Sequence, residues 1–284
     1  NPESENFIAI PDRIATFDND GTLWSEKPYA FQMYFCMNMI KAMAPEHPEW
    51  KNDTTLSAIL DNDPDEVIKQ GWDAIVKMIL TSEAGKSTEE VNEDVKKWIR
   101  TARHPRFNKP FTDLVYQPML ELLRYLQEND FKTFIVSGGG IEFMRAWVEK
   151  VYGIPRDQVI GTYFAAKFEI VDGEALVINL PKIEFVDNKE GKPIGISRFI
   201  GRRPVFSAGN SDDDLAMMEY TATGDGARFM MYVHHTDSVR EWAYDRNTKM
   251  GQLDKGLDAA HENGWTVADM KNDWKVIYPF EEAK

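Results

Sequence analysis

Asp18 and Asp20 stand in the segment Asp18-Asn19-Asp20-Gly21-Thr22, directly after the apolar run at residues 13–17. Two carboxylates this close can divide the work of a displacement reaction: one attacks as a nucleophile, the other passes a proton. They also repel, so one tends to stay protonated unless a cation intervenes. A hard divalent cation such as Mg²⁺ would keep Asp18 ionised and clamp an anionic oxygen. Gly21 allows a tight turn. Two further polar clusters lie far along the chain, Ser137-Gly138-Gly139-Gly140 and Asn210-Ser211-Asp212-Asp213-Asp214. The first offers a hydroxyl and backbone N–H groups, expected at the start of a helix, to an anion. Between the two clusters the chain carries lysines, Lys189 and Lys192 among them, that could supply fixed positive charge. Each cluster alone has a plain reading as a turn, a loop, a helix N-terminus stabilised by its dipole or a surface lysine. Together they are the parts that phosphoryl transfer requires: a nucleophile, a proton carrier and positive charge on the phosphoryl oxygens.

The elements around them explain how they could meet. Short apolar runs at 13–17, 132–136 and 204–208 each end at one of the polar clusters, and further short strands are predicted at 159–161 and 228–233. Helical patterns at 116–129, 141–152, 192–201 and after Asp214 alternate with them. That alternation predicts a parallel sheet with helices on both faces, an α/β doubly wound fold, and ligands bind at the carboxyl ends of such strands. Residues 163–171 and 174–180 flank Asp172-Gly173 and read as a hairpin. Residues 30–44, 65–80 and 88–102 read as helices, the last opened by a Ser87-to-Glu90 capping box.

At 284 residues the chain can bury a core without covalent staples, and its single cysteine, Cys36, excludes an intrachain disulfide. Cys36 sits in an apolar stretch and reads as a buried thiol. The 47 acidic and 33 basic residues leave a net charge of −14, which argues against nucleic acid and anionic lipid as partners. No apolar run approaches a membrane span. Arg103, His104 and Arg106 form a local basic cluster that could meet an anionic substrate, although a solvated hinge loop is the plainer reading. His234 and His235 follow a predicted strand; one could face the site, and neither is assigned to a metal.

The segments FDNDGTLW (17–24), TFIVSGGG (133–140), EGKPIGISRFIG around Lys192 and GNSDDD (209–214) together resemble the four motifs of the haloacid dehalogenase superfamily, nearest its phosphoserine-phosphatase-like branch. The resemblance spans about residues 13–218 and implies a Rossmann-like core at 1–27 and 113–284, with a helical cap domain at 28–112 inserted between the first two motifs. It implies a Mg²⁺-dependent phosphatase acting on a small phosphorylated metabolite. In that scheme Asp18 is the nucleophile, Asp20 the acid/base and Lys192, just before a predicted helix, the preferred third-motif lysine, with Lys189 as the alternative. Gly21, Thr22, Ser137, Gly138, Gly139 and Asp213 would surround the phosphate. Asp18, the Asp20 backbone carbonyl, Asn210 and Asp214 would form the metal set. The family's fourth motif usually carries Asp where this chain has Asn210. Either Asn210 ligates while Asp213 restores the charge from further out, or Asp213 ligates directly and Asn210 bonds the phosphate. The branch's amine-binding glutamate is also displaced: Lys27 stands at its position, with Glu26 beside it, so phosphoserine is not expected as substrate. A phosphotransferase or mutase, and a catalytically inactive phosphate-binding module, are the competing readings. Related proteins with this first motif often carry an export signal, and the chain starts Asn-Pro-Glu, so a periplasmic or secreted location is expected, with the cytoplasm as the alternative.

Overall fold

The computed structural model describes residues 3–281. Seven strands form one sheet: β1 (Ile14–Phe17), β2 (Lys132–Gly140), β3 (Val159–Val171), β4 (Glu174–Phe185), β5 (Phe206–Gly209), β6 (Phe229–His234) and β7 (Thr266–Asp269), in the order β4-β3-β2-β1-β5-β6-β7. All pairings are parallel except the β3–β4 hairpin. The predicted hairpin is therefore real, but β3 runs on from the short strand expected at 159–161 without a break.

Alternation along the central strands explains the two-sided packing. Ala15, Phe17 and Ile135 enter one hydrophobic cluster, whereas Ile14, Phe134 and Val136 enter another with Ile196 and Met217. Neither face meets water, so these strands read as continuous apolar runs in the sequence. β1 pairs with β2 on one side and β5 on the other, with Phe17 opposite Ile135 and Ala208. The chain leaves β1 to opposite sides of the sheet, and the crevice at that reversal is where the three polar clusters end.

Of the six helices between β1 and β2, the first five are α1 (Phe31–Met43), α2 (Thr54–Leu60), α3 (Pro64–Gln70), α4 (Trp72–Glu83) and α5 (Thr88–Thr101). The helix predicted at 65–80 is two helices, because Gly71 adopts φ 92° and breaks it. α5 carries both halves of the capping box expected from Ser87 and Glu90. The α1–α5 segment shares its core with the sheet: Phe31, Phe35, Val95 and Trp98 belong to the same cluster as Phe17 and Phe143. Cys36 is buried there, and burial pushes its thiol above its usual pKa.

The remaining helices follow the strands: α6 (Gln117–Glu128), α7 (Ile141–Arg145), α8 (Val148–Tyr152), α9 (Gly191–Gly195), α10 (Leu215–Ala222), α11 (Lys255–Asn263) and α12 (Met270–Asp273). The helix expected at 141–152 is split into α7 and α8. The one expected at 192–201 is α9 continued by one widened π turn over Ile196–Ile200. Among the described residues no helix is long and apolar enough to cross a membrane.

Candidate active site

The loop after β1 is closed by its own backbone. Gly21 N donates to Trp24 O at 2.8 Å and Leu23 N to Asn19 O at 2.8 Å, while Asp18 N reaches across to Ala208 O on β5 at 2.9 Å. Trp24 anchors the loop by stacking on Trp147, ring centroids 4.1 Å apart, and its Nε1–H donates to Asp20 Oδ1 at 2.9 Å. That bond fixes one oxygen of Asp20; the other, Oδ2, faces Gly139 of β2.

Lys192 enters from α9, fully buried. Its Nζ donates to Asp18 Oδ1 at 2.7 Å and to Asp214 Oδ1 at 2.5 Å. Burial alone would depress the ammonium, but the two carboxylates outweigh it and hold its pKa above the usual lysine value. Lys189, the alternative lysine, points away to Asp213 at 3.8 Å on the surface. Burial raises the Asp18 carboxyl well above its ordinary pKa; Lys192 opposes this, and Asp214 and Asp20 add to it. Burial likewise pushes Asp20 up to about 6, against the Trp24 hydrogen bond and Lys192.

The fourth cluster is arranged differently from the sequence expectation. Asp214 keeps both oxygens occupied within the protein: Oδ1 accepts from Lys192, and Oδ2 accepts from the backbone N–H groups of Asn210 at 2.9 Å and Ser211 at 3.0 Å. Its position is that of the lysine's partner and the loop's clasp. Asp213, the candidate for the phosphate or for direct metal ligation, turns outward to Asn188 Nδ2 at 3.0 Å and to Lys189. Asn210 faces inward and is 2% exposed. Its Oδ1 accepts from Thr22 Oγ1 at 3.1 Å and its Nδ2 donates to Glu26 Oε1 at 2.9 Å.

Ser137 is buried where β2 bends, and its Oγ accepts from Gly139 N at 3.2 Å. Gly140 N donates to Gln32 Oε1 at 2.7 Å, and Gln32 Nε2 reaches Glu83 at 3.3 Å. The expected row of free N–H groups opening a helix is thus altered: the strand continues to Gly140, and the N–H groups of Gly139 and Gly140 already have acceptors. A cleft of about 350 Å³ opens beside Gly140, between Glu83, Thr88, Tyr163, Asn179 and Phe199.

Asp18, Asp20 and Asp214 gather around one ammonium. Three carboxylates against Lys192 leave an excess of negative charge that a divalent cation would balance. The oxygen donors available to it are Asp18, the Asp20 carbonyl and Asn210 Oδ1. Among the described residues no three His, Cys, Asp or Glu side chains are grouped to hold a metal, so an all-carboxylate cage is not built here. The donor set fits Mg²⁺, which takes few protein ligands and fills the rest with water and phosphate.

Several residues at the site carried no motif signal. His235 Nε2 lies 2.7 Å from the Gly21 carbonyl, which can only accept, so Nε2 carries a hydrogen; Nδ1 faces Glu241 Oε2 at 3.2 Å. Glu241 also accepts from Ser25 Oγ at 2.9 Å and Tyr116 Oη at 3.0 Å. Tyr244 stacks on His235 and donates to Glu26 at 2.7 Å. The histidine pair was visible in the sequence, but its use as a brace was not. The basic cluster lies elsewhere: His104 is buried against Lys27 O at 3.0 Å, and Arg106 donates to Val239 O at 2.9 Å and to Glu241 O. Arg103 donates to Ala102 O at 3.0 Å. These three hold chain to chain, not a ligand.

The sequence model described as haloacid dehalogenase-like hydrolase matches residues 15–219. No curated protein matches the chain. Among solved structures, a protein of unknown function from Bordetella pertussis Tohama I is similar at 16% identity and TM-score 0.56, covering 91% of this chain and 98% of that one. A functionally unknown protein from Anaerococcus prevotii is similar at 17% identity and TM-score 0.58, covering 91% of this chain and 86% of that one. A phosphoserine phosphohydrolase-like protein from Francisella tularensis matches at 16% identity and TM-score 0.41, covering 78% of this chain and 87% of that one.

Proposed function

Because the chain belongs to the haloacid dehalogenase-like hydrolase family, we propose that it is a Mg²⁺-dependent phosphatase that hydrolyses a small phosphomonoester through an aspartyl-phosphate on Asp18. The observation that carries this reading is Lys192, buried and bonded at once to Asp18 and Asp214 at the end of β1. That lysine holds Asp18 by Oδ1 and leaves its other carboxylate oxygen for attack.

In the first step an Asp18 oxygen bonds to phosphorus while the bond from phosphorus to the leaving oxygen breaks. Asp20, its carboxyl pushed up to about 6, gives its proton to that oxygen. In the second step Asp20, now a carboxylate, takes a proton from water as the water attacks phosphorus; Asp18 and inorganic phosphate are released. The Gly138 N–H, the Ser137 hydroxyl and Lys192 offer positive or donor character to the phosphoryl oxygens throughout. Asp18, the Asp20 carbonyl and Asn210 Oδ1 would hold Mg²⁺, which supplies the charge that keeps Asp18 ionised beside its neighbours. In this reading α1–α5 act as the cap, with Gln32 of α1 bonded to Gly140 and Glu83 of α4 behind it, and the neighbouring cleft of about 350 Å³ could take a small leaving group.

The test is hydrolysis of p-nitrophenyl phosphate by purified protein with Mg²⁺, with and without EDTA. Activity with Mg²⁺, its loss with EDTA, its absence in Asp18→Asn and binding of beryllofluoride to wild type alone are the expected results. A pure, folded Asp18→Asn sample that turns over as wild type does would overturn the proposal.

A further inference from the structure

The fourth motif lacks the aspartate that would give the cation site its second carboxylate, and Asp213, the residue expected to replace that charge, lies on the surface. A different carboxylate stands beside Asn210. Glu26 is buried in the loop that follows the first motif, 184 residues away in sequence, and its Oε1 accepts from Asn210 Nδ2 at 2.9 Å. We propose that Glu26 is the positioning residue of the cation site: it orients the Asn210 amide and restores the negative charge that the missing aspartate would have supplied. The inference rests on the phosphatase reading above, since it concerns the ion that reading requires.

Three features of the geometry carry it. The first is the direction of the amide. Thr22 Oγ1, the other partner of Asn210, can donate or accept and so leaves the amide free to flip. A carboxylate only accepts, so Glu26 compels the amide nitrogen to face it and turns Oδ1 to the side of Thr22 and the first-motif loop. An amide whose N–H is bound to a carboxylate also has a more electron-rich oxygen, as a histidine ligand does when a carboxylate takes its other N–H.

The second feature is how closely Glu26 is held. Tyr244 Oη donates to the same Oε1 at 2.7 Å. Gly251, with φ 69°, and Gly21, with φ 77°, pass so near that a side chain at either position would collide with Oε1. At Gly21 the added Cβ would lie 2.6 Å from Glu26 Oε1 and would also strike Asn210. The two positive-φ glycines are thus what admits a buried carboxylate at this point.

The third feature is that Glu26 accepts directly only from neutral donors, Asn210 and Tyr244, while Lys27 and His235 act on it from further off without a bond. The adjacent Lys27 spends its ammonium on Met250 O at 2.6 Å and on the face of Tyr244, 4.1 Å from the ring centroid. A buried carboxylate bonded directly only to neutral donors keeps part of its desolvation cost, and a cation beyond Asn210 would offset it. Amide and carboxylate have exchanged order: where the family places a carboxylate against the ion, this chain places an amide, with the carboxylate one bond further out.

The experiment is calorimetric titration of the metal-free protein with Mg²⁺, read without substrate. Glu26→Gln keeps the acceptor and removes the charge; Mg²⁺ affinity should fall by about tenfold or more, the range for outer-shell partners of metal ligands. Glu26→Asp keeps the charge but withdraws it from Asn210 and should also weaken binding. The double variant Asn210→Asp with Glu26→Gln returns the carboxylate to the inner position and should recover affinity to within about threefold of wild type. Mg²⁺ affinity unchanged in folded Glu26→Gln and Glu26→Asp would overturn the proposal. So would a double variant that binds no better than Glu26→Gln alone. A wild type that binds no Mg²⁺ would instead defeat the phosphatase reading beneath it, which separates the two failures.

Discussion

The loops after β1 and β5 and the segment from His235 to Tyr278 meet under the same site and do opposite things. The loops carry reactive groups under electrostatic tension: Asp18 and Asp214 share one lysine with Asp20 close by, and burial lifts both Asp18 and Asp20 above their usual pKa. The C-terminal segment carries no reacting group, and its buried side-chain polar atoms have partners. Burial would raise Glu241 too, but His235, the Trp242 N–H and Ser25 outweigh it and hold that carboxyl below its ordinary value. The difference shows where this protein keeps tension and where it keeps rigidity. A general acid must hold its proton near neutral pH, so it is left short of partners. The residue that fixes the Gly21 carbonyl must not move, so its partner Glu241 has every partner it can use.

The largest effect separating the two regions is expected at Asp20. Asp20→Asn should cut turnover of an alkyl phosphate by about 10²–10⁴-fold with little change in melting temperature. The loss should be smaller for p-nitrophenyl phosphate, whose leaving group needs little protonation. In wild type, kcat/KM for the alkyl ester should fall as pH rises through about 6, where Asp20 loses the proton it donates. Equal losses for both esters would remove Asp20 from the tense side of the comparison.

Glu241→Gln should invert that pattern. Leaving the partners of a buried carboxylate unsatisfied costs about 1–3 kcal/mol, seen as a drop of roughly 2–5 °C in Tm, while kcat in the folded fraction falls less than in Asp20→Asn. A variant that keeps its Tm but loses activity would show that the C-terminal segment takes part in the chemistry and would break the contrast.

The smallest effect sharpens it from a third place. Glu83, on the cleft side, is buried with Gln32 as its hydrogen-bond partner, and burial pushes its carboxyl up to about 7. The folded protein therefore keeps a proton there that the unfolded chain releases, so this group lowers stability as pH rises from about 4.5 toward 7. Glu83→Gln should leave Tm unchanged near pH 4 and raise it slightly at pH 8. A Tm difference that is the same at both pH values would mean that Glu83 is already compensated, like Glu241.

Much of this was legible in the amino-acid order because it is local. The apolar runs at β1, β2 and β5 and the polar residues that end them are contiguous. An α/β fold carries them to one edge by rule, so the loops of Asp18/Asp20, Ser137 and Asn210–Asp214 could be placed together, whereas Lys192 was named from the resemblance of its segment. The Ser87 capping box and the Asp172-Gly173 turn were local as well. The boundaries that failed had one local and one tertiary cause. Gly71 broke one predicted helix through a positive φ, and α7 and α8 parted where Trp147 turns in to stack on Trp24.

What only the tertiary structure decided was which polar group faces which. Asp213 and Asp214 are neighbours of one type, yet one lies on the surface and the other is fully buried against Lys192, because a single 3₁₀ turn points them in different directions. Glu26 and Asn210, or His235 and Gly21, are brought together across about two hundred residues with no spacing to announce them. A motif records residues that must be adjacent along the chain. Hydrogen-bond partners buried beneath a site need only be adjacent in space, and burial is the condition that makes each of those pairings matter.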